Sequence, residues 1–541
     1  MRIRFTNWRL WLTLTHRWLG IAIGLMFVAW TVSGIVLMYY GLPHLTAGER
    51  LVRLPVLDAA AIRLSPSEAA ARVDGEPFRI RISMLGDRPV YRINTGRVFG
   101  RWTLVYADTG EVFAGFDAGA ALAHLRDYVP EAASTASLDG YLTGPDLYTH
   151  NPAMQTHMPM HRISLGDAAD THYYVSEHSG EAVMKTDRIG RVLGLLGYEL
   201  HTLFFFRQKP WWSATLKTLS WAGLVMCALG LLLGIVRFAL RPRFRRRGAL
   251  YRTPYAGLVK WHHYGGLVFG VVVVTWMLSG LVSMSVIPGI AETPYTPAQI
   301  AAGARSVQGE GARLDLDGVS LANLHAAATA VSAEFPVKEL ELMNFDGAPY
   351  FIAYREPTAQ EQRNWQSKSA LDFISATLDH EQRLVAARAP AGALDRIPDK
   401  ALLQAAHRAM PDSDIVDATW LTEYDDYYYD RHPSFDLGLP QAAKTLPVLR
   451  VQFDDPLRTW LYLSPSHGQI LKFEARDRAN RWGYYGLHAF DFALLYRNRP
   501  LWDVVVIVLL VGVGVISTTT LVPMTRRLRR HAHKLVTRWF T

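Results

Sequence analysis

Cysteine is almost absent from this chain, since Cys227 is the single one among 541 residues. One thiol inside a long apolar run cannot form a disulfide within the chain, ligate an iron–sulfur cluster or complete a cysteine-based zinc site. The chain also lacks a Walker loop, a dinucleotide-binding glycine motif and a nucleophile elbow beside a suitable strand. It therefore carries no sequence signature for a nucleotide, nicotinamide or flavin group of its own.

Acidic residues are missing from three basic segments that adjoin apolar runs. Arg2, Arg4 and Arg9 precede the first run. Segment 237–260 carries eight Arg or Lys residues and segment 526–538 carries six, and neither of these longer segments contains Asp or Glu. Basic residues beside membrane spans mark the cytoplasmic side. We therefore expect both termini in the cytoplasm, and we attribute the net charge of +9 to topology and not to a nucleic-acid partner.

Four apolar runs have the length of membrane spans: Trp18–Tyr40, Ser213–Val236, Tyr264–Ile287 and Leu501–Met524. Each is near the ~20 residues needed to cross a hydrocarbon layer of ~30 Å. The first is too long for a signal-peptide core, which predicts an uncleaved anchor.

The spans divide the chain into eight segments. The expected order is a cytoplasmic segment with the first span (1–40), an external domain (41–200), an interfacial segment with the second span (201–240), a basic cytoplasmic loop (241–258), the third span (259–287), a second external domain (288–485), an interfacial segment with the fourth span (486–524) and a basic tail (525–541).

A histidine recurs inside a repeated apolar run. A shift of 246 residues aligns the first run with the third, and nine of the 23 positions from 16 to 38 are identical. The identical positions include His16/His262, Gly20/Gly266, Gly24/Gly270, Trp30/Trp276 and Ser33/Ser279. A second correspondence precedes the other two runs, where Leu200-His201 and Leu487-His488 are each followed by aromatics, basic residues, Pro and Trp. We interpret the chain as two related halves.

The polar segments between the spans carry helix and strand patterns. Ser65–Arg72 has a Ser N-cap and an apolar stripe, and Ser320–Val331 and Asp399–Met410 open similarly. Alternating segments at Phe78–Ser83 and Val90–Thr95 predict strands. The expected fold is an α-helical membrane protein with four transmembrane helices in two pseudo-repeats, plus two α+β external domains.

These motifs resemble a known family. The Ala-Asp-Thr-Gly-Glu-Val hairpin at 107–112, after a Ser-Pro-Ser-Glu-Ala-Ala helix, is similar to a PepSY module. The His-Arg-Trp-Leu-Gly and Trp-x-x-Ser-Gly motifs of the spans resemble the PepSY-associated transmembrane family. The resemblance implies a bacterial inner-membrane protein with periplasmic domains, linked to iron uptake and similar to dihaem ferrisiderophore reductases.

The four repeated histidines fit two haem b groups. His16 and His262 are expected near the cytoplasmic face, and His201 and His488 near the periplasmic face, as axial ligands of haem iron. Gly20, Gly24, Gly266 and Gly270 would leave room for the porphyrin, although small residues also pack membrane helices without a cofactor.

Several other side chains compete for these roles. His263 is adjacent to His262, and His531 and His533 lie in the basic tail. Arg17, Arg207 and Lys217 could meet haem propionates, although interfacial basic residues need no such role. The assignment of each ligand to an iron therefore rests on topology.

Two clusters in the external segments admit a ligand and a structural interpretation. His157, Met158, Met160 and His161, with His150 and Met154 nearby, could bind copper, but we favour a loop that covers an apolar surface. The acidic and aromatic segment Glu423–His432 could contact a ferric chelate, but we favour a half-buried strand.

The sequence thus predicts an electron carrier of the bacterial inner membrane. The donor would be a cytoplasmic reductase or a quinol, and the acceptor a ferric siderophore or another periplasmic ferric chelate. The remaining partner is the lipid bilayer. Two alternatives stay open at this point: a non-redox, membrane-anchored protein that binds or regulates peptidases, and a metal-ion transporter.

Overall fold

The protein forms two compact units, seen in a computed structural model. The structure describes residues 8–95, 100–150, 152–246, 248–284, 314–362, 382–428, 444–466, 468–498 and 500–540. The helical unit comprises residues 1–40, 195–293 and 479–541, and the sheet unit comprises residues 41–194 and 294–478.

The helices of the described chain are numbered in chain order. They are α1 (Trp8–Leu37), α2 (Ala47–Arg53), α3 (Pro66–Ala70), α4 (Ala118–Tyr128), α5 (Pro152–Gln155), α6 (Arg188–Gly194), α7 (Leu200–Thr202), α8 (Trp212–Arg237), α9 (Gly257–Ser283), α10 (Leu321–Ser332), α11 (Asp399–Ala409), α12 (Ala475–Arg481), α13 (Leu487–Ala489), α14 (Ala493–Tyr496) and α15 (Leu501–Phe540).

The strands follow the same convention. They are β1 (Pro77–Leu85), β2 (Arg88–Thr95), β3 (Trp102–Tyr106), β4 (Ser137–Leu142), β5 (Met160–Ser164), β6 (His172–Ser176), β7 (Ala182–Thr186), β8 (Phe244–Arg246), β9 (Ala249–Tyr251), β10 (Glu339–Phe345), β11 (Ala348–Tyr354), β12 (Gln382–Ala386), β13 (Ile415–Leu421), β14 (Val448–Phe453), β15 (Trp460–Leu463) and β16 (Ile470–Phe473).

Four helices of the described chain, α1, α8, α9 and α15, are long and apolar enough to span a membrane. Helix α1 packs on α8 and α15, and α9 packs on the same two helices, so the four close into a bundle. Phe27, Met226, Val273 and Leu510, one from each helix, share its buried centre. The chain is therefore a membrane protein, as the apolar runs predicted.

The spans begin earlier than expected. Helix α1 starts at Trp8 and α9 starts at Gly257, so both extend beyond the apolar runs. The added turns carry tryptophan and basic side chains, which suit a membrane–water interface and can continue a helix there. His16 and His262 consequently lie within helices and not at span starts. Residues 285–287 of the expected third span lie outside the described residues.

A short turn of π-helix precedes both remaining histidines. The π-helical segments Leu195–Glu199 and Trp482–Gly486 lead directly into α7 and α13, which contain His201 and His488. Leu203 and Phe490 then take left-handed backbone conformations with φ of 51° and 52°. Such bulges often occur at functional sites, because they rotate one side chain out of the helical register.

The sheet unit is built around a six-stranded antiparallel sheet in the order β12-β11-β10-β1-β2-β3. Its centre is the pairing of β1 with β10, where Ile80 faces Leu342 and Ile82 faces Leu340. Strands from segments 41–200 and 288–485, which we expected as separate domains, therefore share one sheet. Two four-stranded sheets, β4-β5-β6-β7 and β13-β14-β15-β16, complete the unit.

The helices predicted for the sheet unit form close to the expected residues. Ser65 caps α3 in a reciprocal capping box with Glu68, and Ser320 caps α10 by accepting a hydrogen bond from the Asn323 amide. A cap satisfies backbone N–H groups that the first helical turn leaves without partners. Helix α11 likewise begins at Asp399.

A buried ionic network crosses the central sheet. Arg50 donates to both oxygens of Glu339 over 2.7 and 2.8 Å, and Arg81 donates to both oxygens of Glu181 over 2.9 and 2.6 Å. Burial alone would raise the pKa of Glu181, but the surrounding guanidinium groups outweigh it and hold the pKa well below its usual range. The network thus contains charged glutamates that depend on their arginine partners.

Candidate functional site

Two of the predicted histidines face each other inside the helical bundle. The imidazole rings of His16 on α1 and His262 on α9 have centroids 6.2 Å apart, with planes inclined at 38°. We call them the span pair. His16 Nδ1 contacts the carbonyl oxygen of Met226 at 2.8 Å, and His262 Nδ1 contacts that of Ile516 at 3.2 Å. Each ring is therefore fixed by the main chain of a neighbouring helix.

The carbonyl partners define the tautomer of the span pair. A carbonyl oxygen only accepts hydrogen bonds, so Nδ1 of both rings carries the proton and Nε2 carries the lone pair. Metal-bound histidines commonly have this arrangement, in which a backbone carbonyl orients the ring through the nitrogen that does not bind the metal. Both rings thus have the tautomer that an Nε2-bound metal requires.

The other two predicted histidines form a second pair, which we call the turn pair. The ring centroids of His201 and His488 are 6.1 Å apart, and their planes are nearly perpendicular at 86°. His201 Nδ1 lies 3.0 Å from Ser33 Oγ, and His488 Nδ1 lies 3.0 Å from Ser279 Oγ. The serines that hold this pair come from the spans that carry the other pair.

The serine hydroxyls also assign the tautomer of the turn pair. Ser33 donates its hydroxyl proton to the Trp30 carbonyl, and Ser279 donates to the Trp276 carbonyl, both over 3.1 Å. Each serine oxygen therefore accepts from histidine Nδ1, and Nε2 carries the lone pair.

The spacing within each pair would suit one metal ion bound between its two imidazoles. Imidazoles bound through Nε2 on opposite faces of a metal ion, with metal–nitrogen bonds of about 2 Å, have ring centres about 6 Å apart. The observed centroid separations are 6.2 and 6.1 Å. Two histidines with these tautomers and this spacing match the axial ligand set of a haem.

The two pairs lie at different levels of the bundle. Ser33 follows His16 by 17 positions, and Ser279 follows His262 by the same 17. At the rise of an α-helix this separation is about 25 Å, which approaches the ~30 Å thickness of a hydrocarbon layer. The geometry therefore agrees with one pair near each end of the spans.

The four glycines predicted to make room for a porphyrin have different surroundings. A Cβ built at Gly266 would meet nothing within 4 Å, whereas one at Gly270 would lie 3.1 Å from Leu231. Cβ atoms at Gly20 and Gly24 would lie 3.7 Å from Met226 Sδ and 3.9 Å from Thr520 Oγ1. Gly266 thus borders open space, while the other three lie at helix contacts.

A fifth glycine, which the sequence analysis missed, lies directly against a histidine. A Cβ built at Gly230 on α8 would lie 2.5 Å from His16 Cε1, closer than real side-chain carbons approach. Only glycine at this position lets the His16 ring reach the Met226 carbonyl one turn away. The contact could not be read from the sequence, because it depends on how α1 packs on α8.

The rival histidines have other partners. His263 is buried and uses both ring nitrogens, since Nδ1 lies 2.8 Å from Thr253 Oγ1 and Nε2 lies 2.9 Å from the Gly234 carbonyl. His531 is exposed and its Nδ1 bonds the Arg527 carbonyl of its own helix at 3.0 Å. His533 is also exposed. None of the three lies in either pair.

The basic residues considered for propionates have varied exposure. Arg17 and Lys217 are half-buried, and Arg207 is exposed with its guanidinium 4.5 Å from the centre of the Phe204 ring. Their binding of propionates stays a prediction.

The side chains of the His/Met cluster have different partners within the described residues. Met160 is fully buried with Leu142 and Tyr174, whereas Nε2 of the next residue, His161, bonds the Phe116 carbonyl at 2.9 Å. His157 stacks on Trp102 with ring centroids 5.9 Å apart, and burial lowers its pKa to about 4. Met158 packs at the edge of the Met160 core. Within the described residues, no group of three or more His, Cys, Asp or Glu side chains is placed to hold a metal ion.

The acidic and aromatic segment is not a strand where the structure describes it. Strand β13 ends at Leu421, and the following residues turn and pack on β15. Tyr428 is buried and stacks on Tyr462 with centroids 5.2 Å apart, while Asp425 accepts a hydrogen bond from the Tyr462 hydroxyl over 2.7 Å. Short polar side chains favour turns over strands, which explains the difference. Residues 429–432 lie outside the described residues.

Sequence reasoning also missed the tryptophans that hold the two histidine turns. Trp212 Nε1 donates to the Thr202 carbonyl, and Trp502 Nε1 donates to the Ala489 carbonyl, each over 3.0 Å. Both acceptors directly follow a histidine of the turn pair. Trp212 and Trp502 therefore occupy corresponding positions, and the sequence could have revealed this because each lies two residues after a proline.

Comparison with known proteins gives one result. A search of curated proteins finds no match to this chain. The family model described as the PepSY-associated TM region matches residues 13–522, which include both histidine pairs and most or all of each span. The chain therefore belongs to the PepSY-associated transmembrane family.

Proposed function

We propose that the protein is a dihaem electron carrier with two related halves. One haem b would be held by His16 and His262, and a second by His201 and His488. The observation that supports this most strongly is the duplicated geometry, in which two histidine pairs have ring centroids 6.2 and 6.1 Å apart and every Nδ1 is anchored. Bound haem would supply reversible one-electron chemistry at its iron.

The residues around the pairs would orient the ligands and exclude water. The carbonyls of Met226 and Ile516 fix the rings of the span pair, and Ser33 and Ser279 fix those of the turn pair. Gly266 leaves space beside His262 on α9. Pre-set ligands lower the cost of binding, because the rings lose little additional freedom when iron binds.

We further propose that electrons pass outward across a bacterial inner membrane. The basic segments support cytoplasmic termini and a periplasmic sheet unit. A cytoplasmic reductase or a quinol would reduce the span-pair haem. The turn-pair haem would reduce a ferric siderophore or another periplasmic ferric chelate, which makes the protein a transmembrane ferric reductase. The family resemblance supplies the substrate class.

Absorption spectroscopy tests the haem content. Protein purified from cells supplied with a haem precursor should show a Soret band and two haem b per chain. His16→Ala and His201→Ala should each remove one haem, with different reduced α-bands. His263→Ala is the matched control and should retain both haems, because both ring nitrogens of His263 already contact other groups, Thr253 Oγ1 and the Gly234 carbonyl.

Two outcomes would contradict the dihaem assignment. Wild-type protein without Soret absorbance would favour a non-redox binding protein anchored by its spans. Loss of the same haem in His16→Ala and His201→Ala would refute the pairing. The acceptor is tested separately, because the reduced α-band should disappear when a ferric siderophore is added without oxygen, and a band that persists would exclude reductase activity towards that chelate.

A further inference from the structure

The two histidine pairs are anchored by different chemical groups. Nδ1 of both rings in the span pair donates to a main-chain carbonyl, whereas Nδ1 of both rings in the turn pair donates to a serine hydroxyl. Ser33 and Ser279 are both fully buried. An anchor made by a side chain can be altered by one substitution without moving the backbone, which a carbonyl anchor does not allow.

Each serine belongs to a chain of two hydrogen bonds. His201 donates to Ser33, which donates to the Trp30 carbonyl, and the same order runs from His488 through Ser279 to the Trp276 carbonyl. Because the serine proton is committed to the tryptophan carbonyl, its oxygen acts only as an acceptor towards histidine. In both halves, the Trp and Ser of the repeated Trp-x-x-Ser-Gly motif therefore supply the two acceptors of this chain.

The first half has an additional contact that the second lacks. Trp30 Nε1 donates to the backbone carbonyl of His201 over 2.9 Å, so one tryptophan contributes to holding both the ring and the backbone of that histidine. Trp276 Nε1 is buried without a hydrogen-bond partner within the described residues. The backbone of His201 is thus tied directly to the tryptophan of α1.

The serine anchors restrict rotation of the imidazole planes. A ring bound through Nε2 can turn about its metal–nitrogen bond, but turning would move Nδ1–H away from the serine oxygen and break a bond of 3.0 Å. With both serines in place the planes are held at 86°, compared with 38° in the span pair. Ring orientation is therefore a second difference between the pairs.

We propose that Ser33 and Ser279 are positioning residues that hold the turn-pair imidazoles in crossed planes and tune the electron donation of those ligands. This inference rests on the proposed dihaem function. Crossed axial planes leave two iron d orbitals nearly equal in energy, which gives low-spin ferric haem a strongly anisotropic signal with one large g value. Planes inclined at 38° separate these orbitals and give a rhombic signal.

The same serines affect the reduction potential. A hydrogen bond accepted from Nδ1–H makes the imidazole a stronger donor and favours ferric iron, so its loss raises the potential. Substitution of either serine should therefore raise the potential of the turn-pair haem alone. The span-pair haem should keep its potential, since its anchors are carbonyl groups of α8 and α15.

Electron paramagnetic resonance and a potentiometric titration of the full-length protein test the proposal. Wild type should give one large-g and one rhombic signal. Ser33→Ala and Ser279→Ala should each lose the large-g signal and raise one of the two potentials. Ser33→Thr and Ser279→Thr keep a hydroxyl and should restore both properties. Ser517→Ala is the matched control, since Ser517 is buried and bonds only its own helix at the Val513 carbonyl.

The outcomes separate this inference from the proposed function. Wild type without two haems would overturn the dihaem function and this inference with it. Two haems with identical signals, or alanine variants that change neither signal nor potential, would overturn the role of the serines alone. If an alanine variant loses the turn-pair haem altogether, recovery in the threonine variant supports the proposal and continued loss contradicts it.

Discussion

At the scale of single residues, the site is defined by the acceptor that each histidine Nδ1 meets. His16 reaches the Met226 carbonyl only because Gly230, one turn further along α8, has no side chain. The glycine is therefore part of the ligand geometry, although it bonds nothing itself. Small residues let the backbones of membrane helices approach closely, and Gly230 does the same for a side chain.

Gly230→Ala should displace the His16 ring, because the new Cβ would lie 2.5 Å from His16 Cε1. We expect the haem content to fall from two per chain to one, with the turn-pair haem retained. Pyridine haemochrome assay of the purified variant measures this. Gly119→Ala is the control and should keep both haems, because its Cβ would make an ordinary contact of 3.4 Å with Asp117 Oδ1 at the start of α4, in the sheet unit. Full haem content in Gly230→Ala would contradict the assigned contact.

The histidines were predictable from the sequence, but their anchors were only partly so. The internal repeat identified His16 and His262, because they occupy the same position in the two copies of the repeated segment. Ser33 and Ser279 correspond in the same way. Their role was missed because a serine inside a helix usually bonds a carbonyl of its own helix. The carbonyl anchors of Met226 and Ile516 leave no trace in the sequence, since every residue has a carbonyl.

At the scale of elements, the short histidine turns differ most from what patterns predict. A Leu-His pair before a span indicates an approach to the membrane, but the π-helical turns at Leu195–Glu199 and Trp482–Gly486 have no periodic signature. The sheet unit shows the same limit. Strands β1 and β10 are each recognisable by alternation. Their mutual register, however, depends on contacts between residues that are 262 positions apart, as in the pair Ile80 and Leu342.

The buried ionic network predicts acid sensitivity of the central sheet. Burial would raise the pKa of Glu339, but Arg50 and Arg81 outweigh it and keep the pKa below the usual value. The stabilisation is therefore present above the ordinary glutamate pKa of about 4.3 and is lost as the pH falls towards the lower folded-state value. Thermal unfolding of the detergent-solubilised protein should show a falling midpoint below that pH.

A substitution checks the origin of this acid sensitivity. Glu339→Gln leaves the Arg50 guanidinium without its bidentate carboxylate, which should cost about 3–5 kcal/mol of unfolding free energy at neutral pH. Asp74→Asn, which removes a carboxylate at an exposed position, is the control and should change little. An unchanged midpoint in Glu339→Gln would show that the network does not stabilise the sheet.

At the scale of the whole molecule, the scarcity of cysteine makes the orientation measurable. In a Cys227→Ala background, a new cysteine at Asp87 lies in the exposed β1–β2 turn and one at Arg245 lies in the exposed β8 strand. We expect a membrane-impermeant maleimide to label Asp87→Cys in intact spheroplasts, and Arg245→Cys only after lysis. The basic loop predicts this order. The reverse labelling would place the sheet unit in the cytoplasm.

The pairing of β1 with β10 has a consequence for how such a chain can arise and assemble. The sheet has two further strands on each side of that central pair, so each half contributes three strands, and the two inner strands run antiparallel. Two copies of one three-stranded chain could build the same sheet by an isologous contact, the usual interface of a symmetric homodimer. In the present chain, more than half of the polypeptide is synthesised before β10, the central partner of β1, exists. Until then it is an open edge on the newly made protein, a surface that a chaperone or a neighbouring copy can recognise.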